Sequence, residues 1–206
     1  MLKPGYHQIL LLGILLLTTL TAGCVTVGDQ RVDVLYQTAA NATGGSGDLY
    51  LVEESTRTSG GAASIQWIIG EIRNSHGEKL GNTVTDMAPT DILASAFTQE
   101  LKRAGYNTIR LTSMPKDAAK GLVLKSAVIK IDELKTTSSL EAKSKVTVSI
   151  EPWRDGGPLS RLRYEADYSE TAVTGRDRLA AKTLLQAIRT VMTRSVPEIV
   201  KMLEQK

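Results

Sequence analysis

The stretch LSRLRYEADYSET, residues 159–171, has the cleanest two-residue alternation in the chain. Leu162, Tyr164, Ala166 and Tyr168 point one way; Arg161, Arg163, Glu165, Asp167 and Ser169 point the other. Successive side chains of a strand lie on opposite faces. One face is therefore dry and one wet, the pattern of an antiparallel sheet with a solvated side. Just upstream, Asp155-Gly156-Gly157 is a hairpin signal. It joins this strand to residues 140–150, where Val146, Val148 and Ile150 alternate with Lys145, Thr147 and Ser149. Residues 122–131 (LVLKSAVIKI) are apolar on both parities near their start, as expected of a central strand covered on both faces.

Helical spacing appears in two places. Pro89, Thr90 and Asp91 open the first helix, with Thr90 as the expected cap and Asp91 placing negative charge near the positive helix end. Ile92, Leu93, Ala96, Phe97 and Leu101 follow at helical intervals, and Gly105 is the expected stop. The second helix begins near Arg176, with Leu184, Ile188, Val191 and Met192 on one stripe. Ser195-Val196-Pro197-Glu198 has the form of a capping box, so the helix is expected to restart at Pro197. Strands are expected at residues 31–36, 48–53, 64–73 and 106–111, and a polar turn at 74–79. Residues 38–47 read as a flexible loop. Its Gly44-Gly45-Ser46-Gly47 lacks the lysine and helix start of a phosphate cradle. The sum is an α+β fold, a mostly antiparallel sheet with two helices packed on one face. No period of 20–50 residues marks a solenoid.

The chain has 206 residues, of which 42% are hydrophobic and 23% charged. That composition excludes disorder throughout and a polytopic membrane protein. Twenty-five basic side chains against 22 acidic, with two Trp, six Tyr and one Phe, supply neither the dense basic footprint nor the stacking platforms of a nucleic-acid binder. Catalytic constellations are missing as well. His76 stands alone in a polar turn, without a second His or Cys to share a metal. The adjacent acids Glu53-Glu54 and Asp132-Glu133 face opposite sides if they lie on strands. Arg154, Arg161 and Arg163 read as charge pairing on a wet sheet face beside Glu165 and Asp167. The expectation is no enzyme, no cofactor and no metal.

The amino terminus carries Lys3, then the apolar run ILLLGILLL at residues 9–17, then small residues. This is the plan of a secretory signal peptide, and the run is too short to span a bilayer. The only cysteine follows it. Leu20-Thr21-Ala22-Gly23-Cys24 resembles the lipobox of bacterial lipoproteins. The resemblance implies that Leu20, Thr21, Ala22 and Gly23 are read by the signal peptidase. It also implies that the Cys24 thiol takes a diacylglycerol and that the new amine is acylated. Residues 1–23 are then the signal peptide, 24–30 a tether and 31–206 a single periplasmic α+β domain. Val25 stands where an aspartate would favour the inner membrane, so the resemblance points to the outer membrane.

The lipobox, the helix ending in Ala104-Gly105-Tyr106, the strand rising from Gly121, the strand around Tyr164 and the closing helix occur together in this order. In that combination the chain resembles the YajG-type family of bacterial envelope lipoproteins, and more loosely auxiliary lipoproteins of envelope transport systems. The resemblance implies a lipid-anchored, non-enzymatic binding or adaptor module. Its partners would be the membrane, through the acylated cysteine, and another envelope protein. An alternative is a carrier or sensor of a lipid or glycan, with a cavity between sheet and helices. A carboxylate hydrolase is a third reading, and it requires two acids to converge in one cleft.

Overall fold

The computed structural model describes residues 28–54, 66–175 and 178–205. Its elements run β1 (Gln30–Arg31), β2 (Asp48–Glu53), β3 (Trp67–Asn74), β4 (Lys79–Thr85), α1 (Pro89–Ala104), β5 (Asn107–Leu111), β6 (Lys120–Lys135), β7 (Leu140–Arg154), β8 (Gly157–Pro158), β9 (Leu162–Ala172) and α2 (Leu179–Glu204). The long strand β6 organises the sheet. Along one edge it takes β2 beside residues 121–124 and β3 beside residues 131–135, both parallel. Along its other edge it pairs with β7, antiparallel, over its whole length. Beyond β2 lies β5, beyond β3 lie β4 and β1, and beyond β7 lie β8 and β9.

The expected mostly antiparallel sheet is corrected by this topology: the sheet is mixed. β1–β4, β2–β5, β2–β6 and β3–β6 are parallel, whereas β3–β4, β6–β7, β7–β8 and β7–β9 are antiparallel. Alternation in sequence reports which face is buried and carries no information about strand direction, so the parallel pairings were invisible to it. The two helices do share one face. Leu93, Phe97 and Leu101 of α1 and Leu184, Ile188 and Val191 of α2 join Leu49, Leu51, Leu122, Leu124, Val146 and Val148 in one buried cluster.

A bulge between Leu124 and Ser126 explains the two-parity reading of β6. Before it, Leu122 and Leu124 face the helices; after it, Ile129 and Ile131 do. One extra residue exchanges the parity of everything that follows. The β7–β9 hairpin forms at the expected place, with Asp155 and Gly156 both at positive φ as a two-residue mirror-image turn requires.

Four local expectations are corrected. Of the expected 31–36 strand only Arg31 lies in a strand, the two-residue β1; Val32, Val34 and Tyr36 instead pack on the core as the chain leaves the sheet edge. The expected flexible loop at 38–47 is tied down. Glu100, buried on α1, accepts hydrogen bonds from the Tyr36 hydroxyl and from the Ala39 and Ala40 amides, and the Gly45 amide donates to Ala104. Gly105 stops α1 as expected, at φ 116°, and a Cβ there would stand 2.4 Å from the Gly45 carbonyl oxygen. At the other end of α1 the cap residue is Ala88, with no side-chain cap, and Thr90 lies inside the helix.

The fourth correction is α2, which runs through Pro197 without restarting. A proline inside a helix costs about 3 kcal/mol. Val196, Ile199, Val200 and Leu203 are all buried, and each buried aliphatic side chain contributes about 1.5–3 kcal/mol. Continuity of the apolar stripe therefore outweighs the missing amide. Pro197 itself is exposed. Pro197→Ala should raise stability by about 1–3 kcal/mol in urea unfolding with an unchanged m-value; a loss of stability would show that the proline is needed for the helix path.

Candidate functional site

The face of the sheet opposite the helices is open, and two grooves lie on it. The first, about 540 Å3, is lined by Val52, Glu53, Glu54, Leu111, Thr112, Met114 and Val123. It sits at the carboxyl ends of the parallel strands β2 and β5, the kind of position where crevices form in sheets with parallel strands. Its floor is apolar because Val52 and Val123 are paired neighbours pointing away from the helices. At its rim the bulge residue Lys125 reaches Glu54 and Glu151, each at 3.6 Å. The second groove, about 560 Å3, lies between β3 and β6 along Ile68, Gly70, Val128 and Lys130. Ile68 and Val128 are 68% and 57% exposed, an apolar pair set in a wet face. Its charges are paired at short range, Lys130 with Asp132 at 3.0 Å and Arg73 with Glu71 at 2.5 Å.

The cavity expected between sheet and helices is not where these grooves are. Phe97, Leu101, Leu122, Leu124, Ile150, Leu184 and Ile188, which meet between the layers, are fully buried.

Residues singled out in the sequence are dispersed. Leu20, Thr21, Ala22, Gly23 and Cys24 lie outside the described residues. The chain enters the fold at Asp29, whose carboxylate accepts from the Asn82 amide at 2.9 Å and from its side-chain nitrogen at 3.0 Å. Val32 donates to the Val84 carbonyl. Asp29 stands five positions after Cys24, at most about 18 Å of extended chain. His76 is exposed in the β3–β4 turn, and no metal-binding group of His, Cys, Asp or Glu occurs among the described residues. The loop glycines clasp α1 rather than line a ligand site; Lys120 bonds to the Ser46 carbonyl at 3.0 Å and to Glu204 at 2.6 Å.

The acid pairs split across the sheet. Glu53 pairs with Arg110, whereas Glu54 pairs with Lys125; Asp132 pairs with Lys130, whereas Glu133 is buried and accepts from Thr83 at 2.7 Å. The three arginines do not form one patch. Arg154 donates to the Met202 carbonyl at the end of α2, Arg161 to the Ser149 hydroxyl, and Arg163 lies 3.8 Å from Glu165. Lys145 crosses from β7 to Glu165 at 2.6 Å, the cross-strand pairing expected of this face.

Sequence reasoning missed the two buried acids, Glu100 and the inward side of Glu133. A signal for Glu100 existed, since it continues the helical spacing of Phe97, Leu101 and Ala104 and so had to point inward. Burial raises the Glu133 carboxyl above its ordinary range, with the Thr83 hydroxyl pulling the other way. Its second oxygen has no partner among the described residues. An acid whose titration the fold shifts upward contributes stability at low pH and loses that contribution as pH rises from the unfolded value through the folded one. Glu133→Gln should therefore be more stable than the native chain at pH 7, by about 1–3 kcal/mol. The advantage should vanish below the ordinary carboxylate range. Thermal melts at pH 4 and pH 7 check this; a variant less stable at both would show that the charge itself is needed.

No family model and no curated protein matches the chain. Solved structures with a similar course include a Xanthomonas campestris protein of the DUF330 family, 12% identical, TM-score 0.47, spanning 84% of this chain and 94% of that one. A minor lipoprotein from Acinetobacter baumannii is 11% identical, TM-score 0.36, spanning 83% and 92%. Rare lipoprotein B from Shewanella oneidensis is 12% identical, TM-score 0.34, spanning 65% and 97%. At these values the likeness is one of general arrangement alone.

Proposed function

We propose that the chain is a lipid-anchored lipoprotein of the bacterial envelope, YajG-like in plan, that works as a non-enzymatic binding or adaptor module on the periplasmic side of the outer membrane. The observation that carries this reading is the position of Cys24. The only thiol in the chain follows a leader-like run and small residues, five positions before the chain is clamped at Asp29. Acyl chains on that residue would hold the domain at the bilayer, since each buried methylene contributes about 0.8 kcal/mol and several chains make release negligible. An adaptor role is supported by the division of faces. Both helices pack on one face, and the other presents Ile68, Val128 and two grooves to the surroundings. Glu53 and Glu54 both border the first groove but are held by different cations, Arg110 and Lys125, and His76 lies apart in the β3–β4 turn, an arrangement that favours a non-enzymatic role over a carboxylate hydrolase.

A second reading, a carrier of an amphiphile, is favoured by one feature. The groove over Val52 and Val123 is apolar at its base and charged at its rim, as a ligand with a tail and a headgroup requires.

The anchor is tested by labelling cells with palmitate. The native chain should take up label and fractionate with outer membranes, and Cys24→Ala should lose the label and keep its leader. A native protein recovered unlabelled in the aqueous fraction would overturn the proposal.

A further inference from the structure

The two long edges of the sheet are used differently. At one edge β1 pairs on β4, beside the point where the tether would leave. At the opposite edge stands β9, eleven residues long, paired only with β7 among the described residues and free of proline. Long edge strands are templates for pairing unless something blunts them. One device is visible here, because Arg194 of α2 donates to the Glu165 carbonyl at 3.4 Å. That bond also places the Glu165 carbonyl on the edge away from β7. Backbone groups alternate between edges along an antiparallel strand, so Arg163, Glu165 and Asp167 turn theirs to the open side.

The sequence of this edge is complementary to itself. Set antiparallel to a second copy with Tyr164 at the centre, Arg163 faces Glu165 and Arg161 faces Asp167, and the two-fold repeats both pairs. On the helix side Leu162 faces Ala166 and Tyr164 faces Tyr164. Asp167 has no ion-pair partner among the described residues, and Arg163 lies 3.8 Å from Glu165 with its side chain 72% exposed, so these charges are available. The register centred on Glu165 opposes Glu165 to itself, the one centred on Ala166 opposes Glu165 to Asp167, and the one centred on Asp167 opposes Asp167 to itself. Like charges directly opposite are unfavourable, so charge selects the Tyr164-centred register.

We infer that β9 is a homodimerisation edge, on which two copies of this chain pair antiparallel about Tyr164 into one continuous sheet. The pairing is isologous and closes on itself, as a two-fold contact must. A seven-residue overlap is small for a stable interface, so the pairing is weak in dilute solution. Confinement of both copies to one membrane raises their effective concentration and favours it. The contact does not depend on the adaptor role, since it needs only the edge and its charges.

The test uses the full-length chain in native membranes under mild oxidation. Residues directly opposite in a pair that exchanges no backbone hydrogen bonds lie about 4.5 Å apart, within disulfide reach. Tyr164→Cys should therefore give a disulfide-linked species of twice the monomer mass. Leu162→Cys or Ala166→Cys alone should give about tenfold less, because copies of the same residue are then about 13 Å apart. Co-expressing these two variants should restore the species, and does so without altering Tyr164. Placed on the Tyr164→Cys background, Glu165→Arg should reduce the yield about tenfold, and adding Arg163→Glu should recover it. Absence of a linked species in every arm, or a maximum at Ala166→Cys alone, would overturn the inference.

Discussion

Everything in this fold is hung on one strand. β6 offers one edge to β2 and then to β3, and gives its whole other edge to β7. No other described strand carries three long neighbours. The two partners on the shared edge are far apart in sequence and belong to different parts of the sheet, one leading to β5 and one to β4 and β1. If β6 were not extended over sixteen residues, these parts would have no common support. Its bulge at Lys125 is the consequence of serving both: the strand must keep apolar residues toward the helices while its partner changes, and the extra residue resets the alternation.

From this constraint follows the division of the molecule into a closed face and an open one. α1 buries its stripe against β2, β5 and β6, and α2 buries its stripe against β6, β7 and β9. The opposite face keeps its alternating charges and the two grooves that flank the bulge. Lys125 stands between them, held to Glu54 and Glu151. Lys125 and Glu151 are half-buried, whereas Glu54 is exposed. The first and last described segments are each tied to the sheet, Asp29 by Asn82 at one edge and the end of α2 by Arg154 and Lys120.

Much of this was legible in the sequence because burial leaves a period. The strand at β9, the β7–β9 turn, α1 with its glycine stop and the α2 stripe were all readable from spacing and turn chemistry. What was not legible depended on partners distant in sequence. Parallel pairing of β2 with β5 and β6 leaves no mark on any of the three segments. The path of residues 32–47 over α1 is set by Glu100, whose carboxylate gathers donors from sixty residues away. Pro197 reads locally as a helix breaker, and only the buried residues on both sides of it keep α2 whole. Of the candidate site, the separation of the acid pairs followed from strand geometry. The open-face grooves did not, because they arise where strands far apart in sequence share β6.

Amide hydrogen exchange of the native chain, resolved by residue, tests the role of β6 most directly. If this strand is the common support, the amides of residues 122–124 and 131–134 exchange only through global unfolding, while those of β1 and β5 exchange earlier by local opening. Exchange of the β6 amides as fast as those of β5 would contradict the account.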